Sequence, residues 1–196
     1  MSEIKVESKE ENKSSLLDTM VGLCVVLLAT FLGICNVKDG NIVQKMQQKQ
    51  ADHNDNWAWY QARNIRQSVY QSTADELSLD RPGETPEAKS AREKLSKDYQ
   101  ERAKSQEKKM LDQEAAGKQA LEDYNSLNNI DDKFDLCEAC LAIALALMGV
   151  TALSKRWWMF FLAMVPAVLG VWVGVAGFME VDPNIPFLNK LIEILS

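Results

Sequence analysis

Three long stretches of this chain contain almost no charged side chains, and this feature restricts the available folds more than any other. They run over Leu16–Asn36, Leu136–Leu153 and Trp157–Met179, with Asp18 and Glu138 near their ends. Each has about 18–23 residues, enough at about 1.5 Å per residue to cross a hydrocarbon core of about 30 Å. Core helices of soluble proteins seldom run this far without a charge. We therefore predict three transmembrane helices.

Polar sequence separates these stretches, although the mean hydropathy of -0.22 resembles that of a soluble protein. The predicted segments are a disordered N-terminal tail at 1–15, transmembrane helix 1 at 16–36, an extramembrane helical hairpin at 37–134, transmembrane helix 2 at 135–153, transmembrane helix 3 at 157–179 and an interfacial amphipathic helix at 183–196. The net charge of -6 argues against nucleic acid as a partner, because such binding needs a clustered basic face.

The long polar segment is predicted to be two antiparallel helices. The sequence 38–41 (Lys-Asp-Gly-Asn) indicates a turn, and Ile42 to about Leu79 contains no Pro or Gly. The clearest break is 80–86, where Thr85 before Pro86 is typical of a helix N-cap. A second helical run extends to about Leu127. Arms of about 40 residues would each span roughly 60 Å, which gives an all-α chain with a coiled-coil-like stalk.

The apolar contacts between the two arms of the stalk are expected to be weak. The residues expected to join the arms are Ala58, Ala62, Ile65, Val69 and Leu77 on the first, and Leu95, Tyr99, Met110, Leu121 and Tyr124 on the second. Two such helices bury little apolar surface, so we expect the stalk to pack against copies of itself or another subunit. The alternative is a solvated, flexible hairpin.

Small residues recur at helical spacing in all three predicted spans. They are Ala163, Ala167, Gly170, Gly174 and Gly177 in span three, Ala139, Ala142, Ala146 and Gly149 in span two, and Gly22, Ala29 and Gly33 in span one. In lipid, such stripes let helix backbones approach closely. They either join spans two and three within one chain or also mediate oligomers.

Few residues in the sequence are candidates for catalysis, thiol redox activity or metal binding. Cys137 and Cys140 form a CxxC pair with Cys35 expected at the same depth, for which apolar packing is the first interpretation and thiol redox activity an alternative. His53 is the only histidine and is expected to be solvated. We therefore expect no enzyme, no cofactor and no metal site. A channel or transporter component is a further alternative, although ionisable residues lie only near the span ends.

The short loop 154–156 (Ser-Lys-Arg) between spans two and three suggests an orientation. Short basic loops remain cytoplasmic, which predicts a cytoplasmic N-terminus and a periplasmic stalk. Lys38, Lys45 and Lys49 on the stalk side argue the other way. After span three, apolar residues from Phe187 to Leu195 predict a helix that lies along the bilayer or docks at the stalk base.

The sequence from Gln50 to Arg66 (QADHNDNWAWYQARNIR), together with Phe134-Asp135 at the start of span two, resembles a bacterial family called domain of unknown function 4337. The resemblance covers roughly residues 16–180 and implies a bacterial inner-membrane protein with no assigned activity. It assigns no functional residues. The aromatic and basic residues of this segment are either the best-packed layer of the stalk or a docking surface, namely Trp57, Trp59, Tyr60, Arg63 and Arg66.

These features together predict a membrane-anchored structural or interaction protein. We expect a homo-oligomer or an accessory subunit of a larger membrane complex. Its contacts with partners would involve the stalk and the small-residue faces of the spans, with the lipid bilayer as the surrounding medium.

Overall fold

The computed structural model describes residues 2–179, and the side chains of residues 15–179. It contains three helices, α1 (Ser2–Ser78), α2 (Pro86–Ser154) and α3 (Trp157–Phe178), and no strand within the described residues. The all-α prediction is confirmed. Each helix contains a segment long and apolar enough to cross a membrane. The amphipathic helix predicted at 183–196 lies outside the described residues.

The helices are longer than the sequence suggested. α1 starts at Ser2, within the segment predicted as a disordered tail, and continues through the turn expected at 38–41. α2 continues past Leu127, where an arm was expected to end. One glycine costs a helix only about 1 kcal/mol. Burial of Cys35, Ile42 and Met46 on either side of Gly40 offsets that cost.

The chain divides into two compact units. Of the described residues, those before Met46 and after Asn125 form a three-helix unit, and Met46–Asn125 form a two-helix unit. In the two-helix unit, Lys49 Nζ lies 2.7 Å from Asp123 Oδ2, and Ser96 Oγ donates to Ala74 O at 3.0 Å. Rising numbers in α1 pair with falling numbers in α2, so the two segments are antiparallel.

A stripe of non-exposed residues marks the contact between α1 and α2 in the two-helix unit, and it recurs in alternating steps of three and four. On α1 it contains Met46, Lys49, His53, Asn56, Tyr60, Arg63, Gln67, Tyr70, Ala74 and Leu77. On α2 it contains Arg92, Ser96, Tyr99, Ala103, Gln106, Met110, Gln113, Gly117, Ala120 and Tyr124. This is the heptad spacing of a coiled coil, but most of its members are polar or small. We call these twenty residues the inner seam.

Much of the apolar seam predicted from the sequence was wrong. Leu77, Tyr99, Met110 and Tyr124 belong to the inner seam. Ala58, Ile65, Val69, Leu95 and Leu121 are instead exposed, and Ala62 is half-buried outside the inner seam. The predicted period was correct on α1, but the helix is rotated so that its apolar stripe points away from α2.

The turn between α1 and α2 has the chemistry that a tight reversal needs. Glu84 N donates to Arg81 O at 3.3 Å, and Gly83 between them has a φ of 86°, which a side-chain-bearing residue rarely adopts. Ala88 N donates to Thr85 Oγ1 at 3.4 Å at the start of α2, which confirms the predicted N-cap.

The buried side chain of Arg92 connects the turn to the end of α1. Its side chain is only 7% exposed, its Nε donates to both Glu84 carboxylate oxygens at 3.2 and 3.0 Å, and its Nη1 donates to Leu77 O. Leu77 O belongs to the last turn of α1, where carbonyls lack helical partners. One guanidinium therefore ties the end of α1 to the turn.

The three-helix unit has the larger apolar core. One cluster contains Leu17, Val21, Met148, Phe160 and Ala163, contributed by all three helices. α2 ends at Ser154, and the chain reverses at Lys155, which has a φ of 56°. Lys155 Nζ contacts Asp18 Oδ2, so the start of the apolar segment of α1 lies beside the α2–α3 turn.

We predict that Arg92→Ala destabilises the turn by about 2 kcal/mol, because it leaves Glu84 and Leu77 O without a buried charged donor. Hydrogen exchange of amides 76–92 in the full chain measures this change. Arg102→Ala is the matched control, because its ion pair with Asp98 is exposed and worth less than about 0.5 kcal/mol. Equal protection in both variants would contradict the assigned role.

Candidate functional site

The small-residue face of α3 is occupied within the chain. All five members are buried, namely Ala163, Ala167, Gly170, Gly174 and Gly177. A Cβ atom at Gly170 would lie 2.9 Å from Leu141 Cγ, and one at Gly174 would lie 2.8 Å from Cys137 Sγ and 2.9 Å from Phe31 Cε1. The glycines thus allow α3 to pack closely on α2 and α1. This face has no room for a second chain.

The small residues of the other two predicted spans point outward. Ala139, Ala142, Ala146 and Gly149 are all exposed on α2. On α1, a Cβ atom at Gly22 or Gly33 would meet no other atom within 4 Å. Lipid or another polypeptide could therefore approach both surfaces closely.

Two of the three aromatic residues singled out in the sequence, Trp57 and Tyr60, form one layer of the two-helix unit together with His53. The Trp57 ring makes edge contacts with Tyr60 at 5.1 Å and with His53 at 6.2 Å between centroids. His53 Nδ1 lies 2.8 Å from Gly117 O, and a Cβ at Gly117 would lie 3.7 Å from Trp57 Nε1. His53 is therefore half-buried and hydrogen-bonded, and the expectation of a solvated side chain was wrong.

The two arginines of the same segment differ in their surroundings. Arg63 Nη1 donates to Gln106 Oε1 at 3.4 Å, and the Arg63 guanidinium carbon lies 5.8 Å from the centre of the Trp59 ring. Arg66 is exposed, and Trp59 is 52% exposed. Arg63 therefore joins the two helices, while Trp59 presents an aromatic surface to the outside.

The back of α1 in the two-helix unit has a second stripe with heptad spacing. Its members are Ala51, Asp55, Ala58, Ala62, Ile65, Val69, Ser72, Glu76 and Leu79, and we call them the outer stripe. Its largest apolar members are open, with Ile65 65% and Val69 54% exposed. The central part from Ala58 to Val69 is wholly apolar at these positions. The best apolar face of this helix thus has no partner within the described residues.

The two cysteines of the CxxC sequence have different neighbours. Cys137 Sγ lies 3.8 Å from Cys35 Sγ, whereas Cys140 packs with Leu136 and Val173. Redox-active CxxC cysteines need an environment that stabilises a thiolate. The apolar surroundings of these thiols favour packing as their role.

Two carboxyls meet where α1 and α2 pack in the three-helix unit. The side chains of Asp39 and Asp131 interact with each other, and burial raises the pKa of both, that of Asp131 to about 6. The Oδ1 atoms of both residues are buried and make no hydrogen bond within the described residues. Burial also raises the pKa of Asp132. From the sequence, Asp39 was expected in a turn, and its pairing with Asp131 was missed.

Ligand-binding features are few in the described part of the chain. No group of three or more His, Cys, Asp or Glu residues there is arranged to hold a metal ion. An open groove of about 470 Å³ between α1 and α3 is lined only by apolar side chains, among them Cys24, Met164 and Trp172. Such a groove offers only apolar contacts.

Comparison with known proteins gives one match. The sequence matches the family described as "Domain of unknown function (DUF4337)" over residues 17–180. This match confirms the resemblance found at Gln50–Arg66. No curated protein and no solved structure matches the chain.

We predict that Gly174→Ala lowers the stability of the three-helix unit by about 1–3 kcal/mol, because its methyl group would overlap Cys137 and Phe31. Gly33→Ala is the control, since its methyl group meets open space. Thermal unfolding of both variants in mild detergent, followed by circular dichroism, provides the comparison. The packing would be refuted if both variants unfolded at the same temperature.

Proposed function

The chain belongs to the family described as a domain of unknown function (DUF4337), and from that premise we propose that it is a membrane-anchored interaction protein without enzymatic activity. In this proposal it forms a homo-oligomer or serves as an accessory subunit of a larger complex in a bacterial inner membrane. The outer stripe is its main contact surface, and this exposed stripe is the observation that carries the proposal.

The membrane part of the proposal rests on the three apolar helical segments. We propose that all three cross the bilayer and that the two-helix unit stands outside it as the stalk. The contact between Asp18 and Lys155 supports a common side for the start of span one and the basic turn 154–156. Since short basic loops are retained in the cytoplasm, we propose that this is the cytoplasmic side and that the stalk is periplasmic.

The outer stripe supports a contact function because its exposure is unfavourable in water. A heptad stripe of Ala58, Ala62, Ile65 and Val69 has the spacing that a further helix needs for knobs-into-holes packing. Trp59 borders this stripe and adds a large aromatic surface, a residue type enriched at interface hot spots. A helix from another polypeptide is the partner that fits this geometry.

The exposed small residues on α2 support a second contact inside the bilayer. Ala139, Ala142, Ala146 and Gly149 recur in steps of three and four, the spacing that allows close approach of another transmembrane helix. The corresponding face of α3 is filled by α2 and α1. Contacts between chains in the membrane are therefore proposed on α2.

We predict that Ile65→Glu combined with Val69→Glu weakens association at least tenfold, because each removes about 1 kcal/mol or more of apolar contact and introduces a charge. Native mass spectrometry and chemical cross-linking of the protein purified gently from membranes measure the change.

The control for this experiment is Leu95→Glu combined with Leu111→Glu, since both leucines are exposed on α2 away from the outer stripe. It should leave association unchanged. Circular dichroism establishes that both variants keep their helix content. A monomeric wild-type protein without partners, or equal behaviour of the two variants, would count against the proposal.

The proposed orientation predicts different accessibility of two introduced cysteines. Arg81→Cys in the α1–α2 turn should react with a membrane-impermeant maleimide in cells whose outer membrane has been permeabilised. Arg156→Cys in the α2–α3 turn should react only after the inner membrane is broken, and the unsubstituted chain controls for the native thiols. The reverse pattern would place the stalk in the cytoplasm.

A further inference from the structure

Asp39 and Asp131 occupy contact positions between two helices. In the three-helix unit, the non-exposed stripe of α1 contains Val21, Val25, Leu28, Leu32, Cys35, Asp39 and Ile42. The facing stripe of α2 contains Leu127, Asp131, Phe134, Glu138, Leu141, Leu145 and Met148. Both stripes alternate in steps of three and four. The two aspartates therefore lie among mostly apolar side chains, where a coiled coil normally has apolar residues.

The hydrogen bond between the two side chains requires a proton. A carboxylate has only acceptor oxygens, so two charged carboxylates cannot hydrogen-bond to each other. The protonated carboxyl of Asp131 can donate to the Asp39 carboxylate, because the pKa of Asp131 is the more strongly raised of the two. One proton shared by the pair thus replaces a repulsion with an attraction.

The charged groups that act on the pair from α2 are acidic. On α2, Asp132, Asp135 and Glu138 add negative charge nearby, and Asn36 Nδ2 donates to Glu138 Oε1 at 2.5 Å in the amide orientation that satisfies both groups. Lys133 on α2 is buried and has a partner, and Lys38 on α1 is half-buried. α3 has no ionisable side chain between Trp157 and Phe178.

We infer that Asp39 and Asp131 form a proton-dependent contact, which holds α1 against α2 in the three-helix unit while they share one proton and loosens when both carboxyls are charged. The buried Oδ1 atom of each residue strengthens this dependence, because a second charge there has neither water nor a donor to stabilise it. The device is independent of the proposed contacts with partners.

The raised pKa values of Asp39 and Asp131 determine how the stability of this contact changes with pH. Burial raises the pKa of Asp39, and that of Asp131 reaches about 6 from a usual value of 3.8. Between about pH 4 and pH 6 the folded form therefore binds more protons than the unfolded chain. The stability of this contact falls as the pH rises through that interval and becomes constant above it.

The test is amide hydrogen exchange in the full chain in lipid nanodiscs between about pH 4.5 and about pH 7.5, corrected for intrinsic exchange. In the wild-type protein, protection of residues 36–42 and 128–134 should fall at least tenfold across this range, because the pKa of Asp131 is raised by more than one unit. Asp131→Asn should abolish the fall, because the amide donates to Asp39 at every pH. Asp112→Asn, an exposed site on α2, should behave as wild type.

If Asp131→Asn lowers the helix content of the chain, Asp39→Asn provides the same test, because it also leaves only one carboxyl in the pair. A constant protection in the wild-type protein would overturn the inference. So would a tenfold fall that persists in the asparagine variant that folds.

Discussion

The alternation of three- and four-residue steps along α1 and α2 is the constraint on which the rest of the structure depends. In the two-helix unit it brings together side chains such as Lys49 with Asp123 and Ser96 with the backbone of Ala74. These contacts are directional and tolerate no slip in register. The pairing is thus specified by hydrogen bonds and one ion pair more than by apolar burial, which in most coiled coils supplies the larger share of stability.

This choice of residues has an energetic consequence for the two-helix unit. Surface ion pairs contribute little, with a median of about 0–1 kcal/mol, and Lys49 and Asp123 are each more than a third exposed. The hydrogen bond to Lys49 lowers the pKa of Asp123, and the exposed location of both groups limits what this adds to stability. By contrast, the buried guanidinium of Arg92 secures the turn. The unit is therefore precise in register and modest in stability.

The features that depend on neighbouring residues in the chain could be predicted from the sequence. Uncharged runs identified the three apolar helical segments, and Thr85-Pro86 identified the start of α2. The face of α1 that packs against α2 could not be predicted in this way. Two stripes with the same period lie on this helix, and the one with Ile65 and Val69 is the more apolar. Only the contacts of His53 and Arg63 with α2 show which stripe is the inner seam.

The Asp39–Asp131 pair escaped prediction for a related reason. Lys-Asp-Gly-Asn at 38–41 has the composition of a turn, yet burial of Cys35 and Ile42 keeps the helix continuous there. Once α1 is continuous, Asp39 is four residues from Cys35 and three from Ile42, and it must face α2. The partner of a seam residue depends on the register of the other helix, which no single sequence reveals.

The existence of two heptad stripes on α1 also bears on how the chain avoids mispairing. If the outer stripe packed against α2, more apolar surface would be buried, but Lys49, His53, Arg63 and Ser96 would lose their partners. Lys49, His53 and Arg63 would turn towards water, but Ser96 and Gln106 on α2 would be covered by apolar side chains without their present partners. A polar group left buried without a hydrogen bond costs about 1–3 kcal/mol, which opposes the gain from burying Ile65 and Val69. The polar inner seam thus keeps the apolar stripe outside. The same interactions that fix the register within the chain leave that surface open for another helix.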